Sequence, residues 1–325
     1  MTKIADWDDH IGRRLRLRDL RVFFAVVQSG TLAKAATQLR VSQPAVSQVI
    51  ADLEHALGVK LFDRSSRGVE PTVYARALLT RGRSAFDELR QGIRDIEFLA
   101  DPTAGELRIG YPESIAATIL PLLIERFFEK HPRVMMSTDV VPSPVFKFPG
   151  LLDRAYDLFL ARMPLPLPQD YPANDLNMEV LFDDPVVVVA GVHSPWARRR
   201  KIDLAELVDA PWILSPPGTW LYKHVVQAFA AKGLEMPKPR LVSYAMDLRV
   251  KLPVRGQFIT GVASSVLRGS DGRALKKLPV DLPVWPWRVA ILTLKNRTLS
   301  PVVERFIECA REVAKEFAGP ARTRK

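Results

Sequence analysis

Between residues 20 and 57 the apolar residues recur with a helical period in three short runs, and a basic hairpin follows them by residue 72. Leu20, Phe23, Phe24 and Val27 fall at i, i+3, i+4 and i+7, and Leu32, Ala35, Ala36 and Leu39 repeat that spacing. In the third run Val46, Val49, Ile50, Leu53 and Leu57 form the stripe, which leaves Gln43, Ser47 and Gln48 facing away from it. Short helices with one apolar face each must pack on one another, and with the hairpin they read as a winged helix-turn-helix. Amide and hydroxyl side chains match the donor and acceptor pattern of a DNA major groove, and Gln suits the adenine edge. Gln43, Ser47 and Gln48 are therefore candidate base readers. Ser42 at the N-cap and Pro44 in the first turn present free backbone N–H groups to a phosphate. Gly58 stops the third helix, and Lys60, Arg64 and Arg67 around the turn Ser65-Ser66-Arg67-Gly68 form a wing suited to the sugar-phosphate backbone. The partner implied is double-stranded DNA.

The stretch SGTLAKAATQLRVSQPAVSQVIADLEHALGVKLFDRSSRGVEPT resembles the DNA-binding segment of LysR-type transcriptional regulators. The resemblance implies a winged module over residues 14–73, with Thr31, Gln43, Pro44, Ser47, Arg64 and Arg67 at positions where family members touch DNA. One departure is Ala75, where the family usually places Gly just after the wing.

The charge distribution agrees with a polyanionic partner. Net charge is +11, and residues 11–83 alone carry 13 Lys plus Arg against 5 Asp plus Glu, a surplus of 8. At 325 residues the chain is long enough for two or three domains. The single cysteine, Cys309, excludes an intramolecular disulfide, and the opening residues lack the apolar core of a secretory signal. No run reaches the ~18 apolar residues of a membrane span. These features lead to the expectation of a cytoplasmic protein with no membrane partner. His10, His55, His131, His193 and His224 show no metal spacing, and no catalytic constellation or phosphate loop is recognisable. Neither an enzyme nor a cofactor is expected.

From Val73 to Ala100 proline is absent, and a heptad places Leu79, Phe86 and Ile93 at one position and Leu89 and Ile96 at the other. The reading is a linker helix over 74–102 that pairs with a second copy. Gly82 would let the backbones approach, and Arg76, Arg81, Arg83, Asp87, Glu88 and Arg94 would be solvated. After ADPTAG, strand and helix patterns alternate to the end of the chain, which argues an α/β domain over 103–325 with mainly parallel sheets. The family resemblance continues through EVLFDDPVVVVAGVHSPWA, ELVDAPWILSPPGTW and SPVVERFIECAREVAKEF. It implies an effector-binding domain of two Rossmann-like lobes, similar to a type 2 periplasmic binding protein. Lobe I would span 103–164 plus 270–325, and lobe II 165–269.

Ligands of open α/β sheets settle beyond the carboxyl ends of strands, where helices begin. One such junction is Tyr111-Pro112-Glu113-Ser114, with Ser114 as N-cap and donor. Another is Ser215-Pro216-Pro217-Gly218-Thr219-Trp220, where Thr219 offers a hydroxyl and Trp220 an apolar wall. Ser143, Phe258 and Thr260 are further candidates. Arg162, ending its strand, suits either a bidentate carboxylate contact or a structural salt bridge. Trp285 and Trp287 read as packing or subunit contacts. The resemblance implies a small carboxylate, aromatic acid or sugar derivative as effector, and a homotetramer, a dimer of dimers, on an interrupted inverted repeat. RNA polymerase is a further candidate partner. Within the family the chain is most similar to the branch that includes regulators of protocatechuate catabolism and of genes for galactose-binding and other sugar-binding proteins.

Overall fold

The computed structural model describes residues 15–65, 68–141, 147–169, 171–269, 271–283 and 287–318. The chain forms two compact units, divided between Arg90 and Gln91. In the first, α1 (Leu17–Ser29), α2 (Leu32–Leu39) and α3 (Gln43–Leu57) precede the hairpin of β1 (Phe62–Ser65) and β2 (Gly68–Pro71). The helix ends follow the sequence signals. Gly30 and Gly58 terminate α1 and α3 in the left-handed conformation that glycine adopts without steric cost, and Ser42 caps α3 by accepting from the Ala45 N–H. Phe23, Val26, Ala35, Val46, Ile50, Leu53 and Leu61 make the core, as the three stripes require. Ala75 is fully buried against the same cluster, so its methyl group serves as packing in the first turn of the next helix.

That helix, α4 (Val73–Ala100), is continuous through the division between the units. Its first half differs from the expected seam. Leu79 packs on the core of the winged module, Phe86 meets Phe24 edge-on at 5.4 Å, and Gly82 faces the Phe24 ring, where a Cβ would stand 2.9 Å from it. Gly82 thus serves packing within its own unit. The second half leaves Leu89, Ile93, Ile96 and Leu99 exposed. Two residues expected in solvent are enclosed instead. Asp87 is buried, and Arg94 pairs with Asp157 and Glu106. Arg94 turns inward because Asp157, itself buried, gathers it together with Arg108 and Arg297. Those cations overcome the burial that would otherwise favour the neutral acid, and hold the Asp157 carboxyl below its usual range.

The second unit contains two five-stranded sheets. The first is built from β3 (Ala104–Tyr111), β4 (Arg133–Val140), β5 (Leu158–Pro164), β6 (Leu176–Asp183) and β12 (Trp287–Leu294), in the order β4-β3-β5-β12-β6. Helices α5 (Glu113–Ala116), α6 (Leu120–Lys130), α7 (Pro149–Leu152) and α10 (Pro301–Ala318) belong with it, and Leu107, Ile109, Leu123, Phe127, Val289 and Phe306 lie in its main core. The second comprises β7 (Val186–Gly191), β8 (Trp212–Leu214), β9 (Leu241–Val242), β10 (Ile259–Ala263) and β11 (Leu275–Lys277), with α8 (Trp220–Ala230) and α9 (Met246–Arg255). Both sheets are mixed rather than mainly parallel. β12 runs antiparallel to β5 and β6, and β7 runs antiparallel to β10 and β11. By sheet membership the chain crosses between lobes later than the expected 164/165 and 269/270. β6 still belongs to the first sheet, which puts the outward crossover at Asp184, and β11 still belongs to the second. Ser143, Arg67 and Trp285 lie outside the described residues.

Candidate DNA-reading edge and inter-lobe slot

The start of α3 is a bare polar edge on a finished core. Ser42, Gln43, Pro44 and Gln48 are exposed and Ser47 is half-buried, while Val46 and Ile50 are within 1% of full burial. Gln48 points well away from the buried stripe, whereas Gln43, seven residues before Ile50, lies beside that stripe and is exposed because it opens the helix, a turn before the first buried residue, Val46. The Gln48 amide donates to the Asp52 carboxylate at 2.8 Å, which leaves Gln43 the less committed amide at the tip. Thr31 caps α2, its hydroxyl accepting from the Lys34 N–H at 3.2 Å. The wing is fastened to the same turn. The Val69 N–H donates to the Gly30 carbonyl at 2.9 Å, and a Cβ on Gly68 would stand 2.5 Å from that oxygen. Arg64 lies on β1 in register with Val69.

Glu54 fixes the wing to the other end of α3, a role the sequence reading missed. Its buried carboxylate accepts from the Leu61 and Phe62 N–H groups at 2.9 and 3.3 Å and pairs with Lys60 at 2.6 Å. Burial favours the neutral acid, but Lys60 and the two N–H groups together hold the Glu54 carboxyl below its usual range. The signal was a carboxylate next to Leu53 on the buried face of an otherwise apolar stripe.

In the second unit the structure gathers Ser114, Thr219 and Trp220 around one slot between the lobes, with Pro112, Ser215 and Arg249. Thr219 caps α8 as expected, accepting from the Tyr222 N–H at 3.3 Å and donating to the Pro216 carbonyl at 2.8 Å. Trp220 packs on Trp287 with ring centres 4.5 Å apart. The Trp287 indole N–H in turn donates to His224 Nδ1 at 2.7 Å. Burial depresses the His224 pKa to about 4, so the imidazole is a neutral acceptor near neutral pH. Trp287 is a packing residue, as its sequence context suggested.

Several expected site residues have other occupations. Ser114 is not an N-cap, because the short α5 starts two residues earlier than that would require, at Glu113, with Pro112 in the cap position. Its hydroxyl accepts from Arg162 Nε at 3.1 Å and its carbonyl from Nη2 at 3.3 Å. Arg162 makes the salt bridge that was one of its two expected roles: the buried guanidinium pairs with Asp184 and also donates to Thr118 and Ser265 hydroxyls at 3.2 Å each. Asp184 accepts in addition from the Ser265 N–H and from the Ser264 hydroxyl, both at 2.9 Å. Burial opposes ionisation there, and Arg162 and Ser265 overcome it, so the carboxyl is held low. This network sits where β6 hands the chain to β7, and it ties Ser114 of one lobe to Ser265 of the other. Thr260 is fully buried inside the second sheet, its hydroxyl donating to the Ile213 carbonyl at 2.8 Å, which removes it from any ligand surface. Phe258 is half-buried ahead of β10 and does not line the slot. Arg249, which the sequence reading missed, does. Among the described residues no group of three or more His, Cys, Asp or Glu is placed to hold a metal, and no helix is long and apolar enough to cross a membrane.

Comparison with known proteins gives this arrangement its family. Residues 17–76 match the bacterial regulatory helix-turn-helix protein, lysR family, and residues 100–315 match the LysR substrate binding domain. The HTH-type transcriptional regulator GalR of Pseudomonas putida is 30% identical over 93% of this chain and 75% of its own length. GbpR of Azospirillum brasilense, also an HTH-type transcriptional regulator, is 28% identical over 91% of this chain and 85% of its own. Among solved structures, full-length CbnR in complex with its target DNA superposes with a TM-score of 0.61 at 21% identity, covering 92% of this chain and 100% of that one. These matches, over a helix-turn-helix with an exposed polar edge and a two-lobed substrate-binding domain, place the chain in the LysR family as a DNA-binding transcriptional regulator with an effector-binding domain.

Proposed function

We propose that the chain is a cytoplasmic, ligand-gated regulator in which α3 reads the major groove and a small molecule held in the inter-lobe slot changes how paired winged modules are spaced on an operator. The parts divide as a DNA-binding module over 14–73, a linker helix over 74–102 and an effector domain over 103–325. Gln43 and Ser47 contact base edges, Ser42, Pro44 and the α3 N-terminus approach phosphate, and Arg64 and Arg67 lie along the backbone. The exposed stripe Leu89, Ile93, Ile96 and Leu99 joins two copies, and a second pairing makes a dimer of dimers on an interrupted inverted repeat. A ligand acts on DNA binding only through its differential affinity for the two arrangements of that assembly.

The observation that carries this reading is the exposed Gln43 tip on a closed core, a surface that packing within the unit leaves bare. Anisotropy titrations of operator duplexes with single base-pair changes test it. Gln43→Ala loses about 1–3 kcal/mol of discrimination at one base pair and retains non-specific affinity. Equal weakening on every duplex would remove Gln43 from base readout.

A further inference from the structure

We infer that the slot between the lobes is a receptor for the carboxylate of a small organic acid, and that Arg249 is the cation that binds it. This deepens the effector-receptor reading of the same domain and rests on it.

The argument starts from a misfit in α9. Its buried face is Met246, Arg249, Val250 and Pro253, so a guanidinium stands where the helical period calls for an apolar side chain. Arg249 is 94% buried, and its contacts are poor: Nη1 meets the Ser215 hydroxyl at 3.4 Å, Nη2 meets the Met246 sulfur at 2.9 Å, and Nε has no hydrogen-bond partner among the described residues. No carboxylate among the described residues forms an ion pair with it. Burial lowers its proton affinity, and Glu113 and Tyr244 only partly offset that. A buried guanidinium in this condition is costly to the fold unless a counter-ion arrives.

The surroundings supply the rest of an anion site. The α8 N-terminus opens into the same slot. Thr219 satisfies the N–H groups of Tyr222 and Lys223, and those of Trp220 and Leu221 have no protein partner among the described residues. Gly218, at φ +89°, shapes the turn that brings this helix start beside Ser215. Trp220 supplies an apolar wall, held by Trp287. Among the described residues that line the slot Glu113 is the one acid, and its Oε1 accepts from the Met246 N–H at 2.9 Å. Donors in a plane on Arg249, two backbone N–H groups and an indole face suit a flat monoanion with a small organic body. The contrast with Arg162 is direct, since that guanidinium already has its carboxylate in Asp184.

Thermal unfolding of the full-length protein, alone and with matched salts of propionate, phenylacetate and inorganic phosphate and with the neutral propionamide and phenylacetamide, tests the assignment. The carboxylates raise the melting temperature of the wild type, and the amides and phosphate do not. In ligand-free Arg249→Met the unpaired charge is gone, so the midpoint rises by about 2–4 °C for each ~1 kcal/mol recovered, and the carboxylate shift disappears. Arg249→Gln, which keeps a donor for Ser215 without the charge, also loses the carboxylate shift. A lower melting temperature in both variants, a carboxylate shift that survives in either, an equal shift from phosphate, or no carboxylate shift in the wild type overturns the assignment. If the amides stabilise as much as the acids and both effects vanish in Trp220→Ala, the slot is still an effector receptor and only the carboxylate assignment fails.

Discussion

In the unit that ends at Arg90, Gln43, Pro44 and Gln48 stand in solvent on a core closed by Val46, Ile50 and Leu53; in the unit that begins at Gln91, Arg162, Asp184, Ser215 and Arg249 are buried between lobes. The first unit closes an apolar core from its three helices, the hairpin and the start of α4, and leaves these polar groups exposed. The second takes polar groups into its interior, and there each must find a partner or wait for one. Arg162 has found Asp184, Ser114, Thr118 and Ser265, whereas among the described residues Arg249 hydrogen-bonds only to a hydroxyl and a thioether. The same residue type in one domain is thus fastened in one place and poorly partnered in the other, and the contacts separate them where burial does not.

That contrast can be broken most severely at Asp184. Asp184→Ala strands the Arg162 guanidinium without a counter-ion, and by calorimetry or urea melting the lobed unit is expected to lose about 3–5 kcal/mol. An effect on the scale of an ordinary surface substitution would mean that Arg162, like Arg249, is not committed to the fold. Next in size is Glu54→Gln, which weakens the tie between α3 and the wing and costs about 1–3 kcal/mol at neutral pH. Its sign with pH is fixed by the lowered carboxyl. The contribution of Glu54 is complete above about 4.5, the ordinary value, and is lost as pH falls through the lower folded value. Wild type and Glu54→Gln should therefore converge in stability on acidification, and urea melts across that range check it. Thr31→Ala is the smallest, about 0.5–2 kcal/mol for the lost cap of α2, read in the same melts.

The sequence was most informative where structure is local. The stripes of α1, α2 and α3, the Ser42 cap and the Gly58 stop depend on neighbours within a turn or two, and each is where its spacing put it. The start of α8 at Thr219 and its meeting with Ser114 were also legible, because strand ends that lead into helices converge in α/β sheets. What escaped was long-range or off-pattern. Strand β6 has an irregular burial pattern rather than clean alternation. Helix α9 contains Pro253 and carries Arg249 on its apolar face, which together blur the helical period. Arg94 and Asp87 look solvated on a heptad diagram, but Asp157, 63 residues away, gives Arg94 a buried partner that no periodicity contains. Thr260 reads as a candidate ligand contact, but its place beside Ile213 and its hydroxyl bond to the Ile213 carbonyl close it inside the sheet.

The account rests on α3 reading a duplex while the lobed unit governs the assembly, and selection of bound duplexes from a random-sequence pool by the full-length protein tests it most directly. The expected result is enrichment of an interrupted inverted repeat, with Gln43→Ala relaxing preference at one base pair of each half-site. Recovery of duplexes with no sequence preference over the starting pool would contradict it.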